Sequence, residues 1–405
     1  MKVAHVLRKY VPEEWGGTET AVKRLLDGLA MGDVESAVFC PKIRGATYDD
    51  PGPLGHPVRR YRASLPVVGI PKERRRQLEA MGGNILSLQL VAKLLRERGI
   101  SVVHTHALNR IGGAALTAAR RRGLPFVVTV HGGVLDLPAE VAESMQAGGG
   151  IEWGKAFGAL LKARKVLERA DALLTVNPRE ADLLRERYPG QRVLQTFHGV
   201  DLERLSTDQS SACPDFGDRQ VVVVLGRIDP VKNQLWAARQ WHEVVSRHPK
   251  ALLVVAGAVT DEAYGRELEK LSGDSIRLLG GIAPGDPKLV GLLQRAEAVL
   301  VPSKLETFGL VAVEAWAAAA PVIASKTTGT SHLIDHGRDG LLFDVGDAAA
   351  FHRNIDVILD DVELARELSA TGRRRARGYS IEAAAAPVRA LYDELIDEKS
   401  RKGAA

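Results

Sequence analysis

The chain has 405 residues, of which 45% are apolar and 26% charged, with 55 Lys and Arg against 50 Asp and Glu. At roughly 100–200 residues per domain this length points to two domains with a core each, and the composition excludes both a disulfide-stapled miniprotein and a wholly disordered chain. Two cysteines, Cys40 and Cys213, are too few for a disulfide framework or a Cys-rich zinc site, and no apolar run nears the ~20 residues of a membrane span, so a cytoplasmic protein is expected.

Short apolar runs rich in Val, Ile and Leu alternate with helical patterns, the signature of parallel βαβ units. The predicted strands of the first half are Val3 to Leu7, Val34 to Phe39, Val102 to His104, Phe126 to Val130, Ala172 to Val176 and Val193 to Thr196. Between Pro51 and Pro71, Pro, Gly and Arg interrupt every pattern and no element is assigned. The second half repeats the scheme at Val221 to Leu225, Leu252 to Ala256, Ile276 to Leu279, Ala298 to Val301, Pro321 to Ala324 and Leu341 to Phe343. The expected fold is α/β, two Rossmann-like domains with doubly wound parallel sheets facing across a cleft. Residues 1–200 form the first, 201–218 a polar linker, 219–380 the second, and 381–405 a closing helix that packs back towards the first. In open α/β sheets ligands bind outside the carboxyl ends of the strands, so chemistry is sought in the loops there.

Charge divides unevenly between the halves. Residues 1–200 hold 30 basic against 20 acidic side chains, and residues 201–405 hold 25 against 30. The basic half therefore suits a phosphate-bearing molecule or an anionic membrane surface. Arg59, Arg60, Arg62, Lys72, Arg74, Arg75, Arg76, Arg120, Arg121 and Arg122 make up its runs. Nucleic acid is not expected, because the 20 aromatic residues do not interleave with these arginines as stacking platforms would.

Three loops carry chemistry. After the first strand, Gly16-Gly17-Thr18-Glu19 opens an apolar-periodic helix. Paired glycines let backbone N–H groups approach a phosphate at the positive helix end, although a plain turn capped by Thr18 accounts for the same residues. In the second half, the strand Val221 to Leu225 runs into Gly226-Arg227-Ile228-Asp229-Pro230-Val231-Lys232. Pro230 suits the first turn of a helix there, and Arg227 and Lys232 supply a planar and a mobile cation suited to a diphosphate, or else a solvated ion pair. The third loop follows Ala298 to Val301 and carries Glu306, with a helix starting near Phe308 and Glu314 about two turns further on. Gly309 and Leu310 N–H groups can hold a phosphate at that helix start, and Glu314 among apolar neighbours needs hydrogen-bond donors, which sugar hydroxyls provide.

His104-Thr105-His106 ends another strand, with both imidazoles on one face by alternation. No third ligand is implied nearby, so a zinc site is not expected. No Asp-x-Asp triplet occurs in the chain, and the sequence gives no sign of a metal-dependent site.

At these sites the sequence resembles the retaining nucleotide-sugar glycosyltransferases of the GT-B fold, family 4-like and group 1 in type, over nearly its whole length. The matching features are Gly16-Gly17-Thr18-Glu19, His131-Gly132 after Phe126 to Val130, Arg227 with Lys232, and Glu306 with Glu314. The resemblance implies a metal-independent transfer of a sugar from a nucleoside-diphosphate donor, most often UDP-linked, with retention of anomeric configuration and no further cofactor. By the same resemblance Arg227 and Lys232 bind the diphosphate, Glu306 holds donor-sugar hydroxyls near the reacting carbon and Glu314 binds the ribose. His131 lies near the reaction centre, His106 is the candidate on the acceptor side, and Gly16, Gly17, Phe308, Gly309 and Leu310 complete the donor site. The loop Gly257 to Asp261 corresponds to the base-recognition region. The acceptor is a sugar, a lipid-linked compound or another small molecule, anionic if the basic runs face it, with peripheral contact to the inner face of the membrane as the other use of those runs. Two departures stand out: Thr328-Gly329-Thr330-Ser331-His332 carries a histidine where relatives have a carboxylate, and Ala319-Ala320-Pro321 lacks the glycine before the proline. The same fold also hosts nucleotide-sugar 2-epimerases, and a non-catalytic nucleotide-sugar-binding or membrane-associated protein is the third reading.

Overall fold

A computed structural model describes residues 1–10, 16–42, 54–69, 85–132, 151–152, 161, 163–283 and 285–404. The chain divides into two compact units, one formed by Met1–Phe197 together with Ala384–Ala405, the other by His198–Ala383.

The first unit is built on a seven-stranded sheet. Its strands are β1 (Lys2–Val6), β2 (Glu35–Lys42), β3 (Val58–Arg62), β5 (Ile100–Thr105), β6 (Phe126–Val130), β8 (Ala172–Thr175) and β9 (Arg192–Gln195), in the order β3-β2-β1-β5-β6-β8-β9. All neighbours are parallel. A short antiparallel pair, β4 (Val67–Val68) with β7 (Ile151–Glu152), stands apart. β3 and β4 fall in the stretch that received no assignment. In β3 the run Val-Arg-Arg-Tyr-Arg buries only Tyr61, so an edge strand of this kind carries little apolar periodicity to detect.

Alternation divides the inner strands between two cores. Ala4, Val6, Val103, Val128 and Leu173 pack with the helices Leu88–Arg96 and Asn109–Arg121. Val3, Val102, Val127, Ala172 and Leu174 pack instead with Leu29 and with Ala385, Val388, Leu391, Tyr392 and Leu395 of the last helix, Ile381–Ala404. Full burial of such a side chain contributes roughly 1.5–3 kcal/mol, which anchors this distant segment on the first sheet. Inside it, Pro387 has no N–H to offer Ala383, and the division between the units falls at that point.

The second unit holds a six-stranded parallel sheet. Its strands are β10 (Gln220–Leu225), β11 (Ala251–Ala256), β12 (Ile276–Leu278), β13 (Ala298–Val301), β14 (Val322–Ser325) and β15 (Leu341–Phe343), in the order β12-β11-β10-β13-β14-β15. Four consecutive valines, Val221 to Val224, are buried because β10 is central and covered on both faces. Strand order reverses at β10 and β13, which makes the loops after these two strands the switch point where open α/β sheets bind ligands. Residues 201–218 carry the helix Leu202–Ser206 and a 3-10 turn at Ser210–Ala212, and belong to this unit.

Candidate active site

The loops after β10 and β13 are joined at three levels. At the backbone, Lys304 N donates to Val231 O at 2.8 Å. Asn233 Nδ2 donates to Pro302 O at 3.1 Å. Between side chains, Lys232 Nζ lies 2.5 Å from Glu306 Oε1, and Ser303 Oγ donates to the same oxygen at 2.8 Å. Lys232 and Glu306 are both largely shielded from solvent, a setting in which an ion pair is less screened than at a surface.

Arg227 is half-exposed, its Nη2 3.3 Å from Asp229 Oδ2. The other oxygen of Asp229 accepts from Val231 N at 3.0 Å and Lys232 N at 3.1 Å, closing an Asx turn that sets where Lys232 leaves the backbone. This corrects the expectation for Pro230. It sits in that turn, and the helix begins at Gln234 behind Asn233, whose φ is 59°. The asparagine side chain tolerates this left-handed conformation and reaches Pro302 O while doing so.

The helix expected near Phe308 runs over Leu310–Ala317. Gly309 precedes it at φ 94°, a value that favours glycine, and caps the helix without a side-chain hydrogen bond. Phe308 is buried edge-on against His198 and beside Tyr379. Glu314 is buried, and so are Ala312, Val313, Ala315 and Trp316 on every side of the same helix. The chain Thr327-Thr328-Gly329 closes over the Glu306 loop from behind. Gly329 N donates to Glu306 O at 2.8 Å, and a Cβ on Gly329 would fall 2.5 Å from Phe308 N and 2.7 Å from Glu306 O. His332 is exposed on the short helix that follows.

In the first unit, helix Gly17–Met31 has Gly16 as its N-cap without a side-chain cap, so Thr18 does not hold the capping position considered for it. Burial pushes the Glu19 carboxyl above its ordinary value, against the pull of Lys9 and Arg8. Neither glycine has a positive φ, and a Cβ on Gly17 would meet nothing within 4 Å among the described residues.

At the carboxyl ends of β1, β5 and β6 the same face carries His5, His104, His106, Thr129 and His131. His5 and His104 are register partners. His106 Nε2 lies 3.1 Å from His5 Nδ1, and His106 Nδ1 lies 2.9 Å from His131 Nε2. His104 bonds Tyr392 Oη through Nδ1 at 2.5 Å and Thr129 Oγ1 through Nε2 at 2.6 Å. Desolvation lowers His5 to about 3 and holds His104 well below the ordinary imidazole range. Desolvation, and next the Arg8 cation, lower His131 to about 4. All three are neutral imidazoles at neutral pH.

His5 overturns the expectation that no third imidazole lies near His104 and His106, since ring nitrogens of the three fall within 4.8 Å of one another. A metal there would have to break into the bonds to Tyr392, Thr129, His5 and His131 that these rings already make. The sequence reading passed over His5 because it lies in an apolar strand far from the other two. It also passed over Ser303, Asp229 and Gly329, although serine three residues before a glutamate is a spacing that suits a local hydrogen bond.

The basic runs of the first unit are partly consumed by its own structure. Arg59 pairs with Glu97 at 3.3 Å and Arg120 with Asp171 at 3.1 Å. Arg60 lies over the Tyr10 ring, and Arg122 donates to the carbonyls of Leu94 and Glu97. Arg62 and Arg121 are exposed, whereas Lys72, Arg74, Arg75 and Arg76 lie outside the described residues. Among the described residues, no helix is long and apolar enough to cross a membrane.

Comparison with known proteins matches both halves of the chain. The Glycosyl transferase 4-like domain family covers residues 16–199 and the Glycosyl transferases group 1 family covers residues 208–375. A D-inositol 3-phosphate glycosyltransferase of Corynebacterium jeikeium is 29% identical over 94% of this chain and 92% of its own length. D-inositol 3-phosphate glycosyltransferase 1 of Catenulispora acidiphila is 30% identical over 76% of each chain. Among solved structures, Anabaena Alr3699/HepE in complex with UDP and glucose has a TM-score of 0.74 at 16% identity, covering 97% of this chain and all of that one. Sucrose-phosphate synthase from Thermosynechococcus elongatus has a TM-score of 0.72 at 22% identity, covering 98% of this chain and 99% of that one. With two parallel-sheet α/β domains matched in this order, the chain belongs to the group 1 glycosyl transferases of GT-B fold and is a glycosyltransferase.

Proposed function

We propose that the enzyme transfers a sugar from a UDP-linked donor to a hydroxyl of an anionic small molecule, with retention at the anomeric carbon and no metal or other cofactor. The observation that carries this reading is the Lys232–Glu306 contact beside Arg227 at the switch point of the second sheet. Loss of the nucleoside diphosphate builds negative charge on its phosphates. Two preorganised cations and the N–H groups of Gly309 and Leu310 stabilise that charge without reorganising during the reaction. Arg227 serves as the bidentate partner, and Lys232 as a mobile charge shared between diphosphate and Glu306.

Glu306, held by Lys232 and Ser303, keeps one carboxylate oxygen for donor-sugar hydroxyls. Glu314 takes the ribose, and Phe308 forms the floor beneath that helix start. Gly16 and Gly17 let the first helix approach the donor. This is supported by the open space around Gly17, since the described fold does not itself call for glycine there. His131 hydrogen-bonds near the reaction centre, with His106 behind it towards the acceptor. The anionic acceptor is supported by relatives named D-inositol 3-phosphate glycosyltransferase and by the basic balance of residues 1–200, and UDP by the HepE complexes with UDP and UDP-glucose. Cys40 and Cys213 are not joined in a disulfide, which suits a reducing, cytoplasmic site of action.

The test is incubation of the full chain with UDP-glucose or UDP-N-acetylglucosamine, with and without inositol 3-phosphate, followed by NMR of the product. Acceptor-dependent UDP release and an α-linked product are expected. Epimerised donor in the absence of acceptor, an inverted product, or thermal stabilisation by GDP or ADP sugars in place of UDP sugars would overturn the reading.

A further inference from the structure

β14 contributes no residue to the loops after β10 and β13, yet its last residue holds the loop that carries Glu306. Pro302 has no N–H with which the ladder of β13 could continue. A side chain takes the carbonyls on either side of it instead, with Ser325 Oγ 2.5 Å from Ser303 O and 3.2 Å from Val301 O. Behind Ser325, Thr330 Oγ1 donates to Ser325 O at 2.6 Å and accepts from Thr327 N at 2.9 Å. In front of it, Ser303 Oγ donates to Glu306 Oε1 at 2.8 Å. Ser303, Ser325 and Thr330 are all buried.

Each of these hydroxyls has one proton to give, and each faces an oxygen that can only accept, a carbonyl or a carboxylate. The series therefore runs one way, from Thr330 to the carbonyl of Ser325, from the Ser325 hydroxyl to the carbonyl of Ser303, and from the Ser303 hydroxyl to Glu306. Glu306 Oε1 also faces Lys232 Nζ, an ammonium with donors alone, so both neighbours of that oxygen donate to it. Oε2 has no hydrogen-bond partner among the described residues.

We infer that Ser325 is a positioning residue for Glu306 and acts through the backbone of Ser303. By holding the Ser303 carbonyl it fixes the hydroxyl that occupies Oε1 and leaves Oε2 open to a donor sugar. Thr330, on the short helix Thr328–Leu333, backs the arrangement by holding the carbonyl of Ser325 itself. What the carboxylate does once held rests on the transferase reading above, whereas the way it is held does not. Displacements of about 1 Å at a reacting group can cost up to ~10²-fold in rate, so a buried hydroxyl one residue removed from the loop can be felt in turnover.

Crystal structures of the full chain as wild type, Ser303→Ala and Ser325→Ala test the positioning without any substrate. In Ser325→Ala the Ser303 hydroxyl is expected beyond hydrogen-bond reach of Glu306 Oε1, and in both variants the Glu306 carboxylate is expected to leave its wild-type orientation. Ser325→Cys, a milder change that keeps a weak donor, is read in the same way if Ser325→Ala does not fold. Turnover should fall about tenfold in Ser303→Ala and about fivefold in Ser325→Ala, with UDP affinity in calorimetry changed by less than about twofold, and Ser303→Thr should recover most of the loss. The double variant should be no slower than Ser303→Ala alone, because Ser325 acts through the hydroxyl already removed, whereas independent losses would multiply. A Glu306 carboxylate left in its wild-type place in both variants, losses that multiply in the double variant, or UDP affinity that falls in parallel with turnover would each overturn the inference. Absence of transfer by the wild-type chain from any donor sugar would instead count against the proposed function, and the crystal structures would still decide how Glu306 is held.

Discussion

The carboxyl ends of the two sheets solve the same problem in opposite ways. In the first unit, His5, His104 and His131 are stripped of charge by burial, His5 and His131 bonded to the ring of His106 and His104 to the hydroxyls of Tyr392 and Thr129. In the second, Lys232 lies against Glu306 and, nearer to solvent, Arg227 against Asp229, so that groups of opposite sign meet. Burying an unpaired ion costs far more than burying a neutral ring, so only groups with opposite partners stay ionised in such a place. Under the proposed function, charge stabilisation would fall to the second unit and oriented hydrogen bonding to the first.

The largest effect expected from breaking this contrast is on Glu306. Glu306→Gln keeps the shape but loses the charge held by Lys232, and kcat should fall about 10²–10³-fold while nucleoside-diphosphate affinity stays nearly unchanged. Steady-state kinetics together with calorimetry check this, and equal loss of both would remove Glu306 from the sugar site.

Arg227→Ala and Lys232→Ala separate the two cations. Each should weaken UDP binding by about 1.5–3 kcal/mol in calorimetry, the range for a charge-assisted bond. Lys232→Ala should in addition depress kcat, because it leaves Glu306 without its counter-ion, whereas Arg227→Ala should act through binding. Unchanged affinity in both variants would refute the diphosphate site.

Gly329→Ala should destabilise the second unit by about 1–3 kcal/mol and lower turnover, since the added methyl meets the backbone of Glu306 and Phe308. Chemical denaturation and kinetics on the same sample read both effects. Gly17→Ala is its counterpart: stability should be unchanged or raised, by up to ~1 kcal/mol as alanine replaces glycine in a helix, while donor KM rises. A variant with wild-type KM would remove the glycine pair from the donor site.

The smallest effect is on pH. His5, His104 and His131 have folded values below their unfolded ones, so the unfolded chain binds more protons as pH falls. Their contribution is present in full above about pH 6.5, the unfolded histidine value, and is lost progressively from there through pH 4 to 3. His5→Phe should flatten thermal unfolding temperature against pH in that window, whereas Glu306→Gln should leave the slope of that window in place.

Twelve strands were legible in the chain because each is a compact apolar run, and the loops that carry the glycine pair, the two cations and Glu306 were locatable because each follows such a run. β3 escaped because an edge strand buries one side chain in five, which is too few to form a period. Pro230 was assigned to a helix from its preference for first turns, but the side chain of Asp229 captured the N–H groups of Val231 and Lys232 and postponed the helix to Gln234.

Local order thus determined what each loop contains, since apolar periodicity and turn chemistry act over a few residues. Only the tertiary structure decided which loops share a partner. The bond from Lys232 to Glu306 spans 74 residues, and that from His5 to His106 spans 101. Such pairs are set by strand order in the sheet. A parallel sheet brings the ends of distant strands side by side through packing of their faces, and no spacing along the chain records which end will lie beside which.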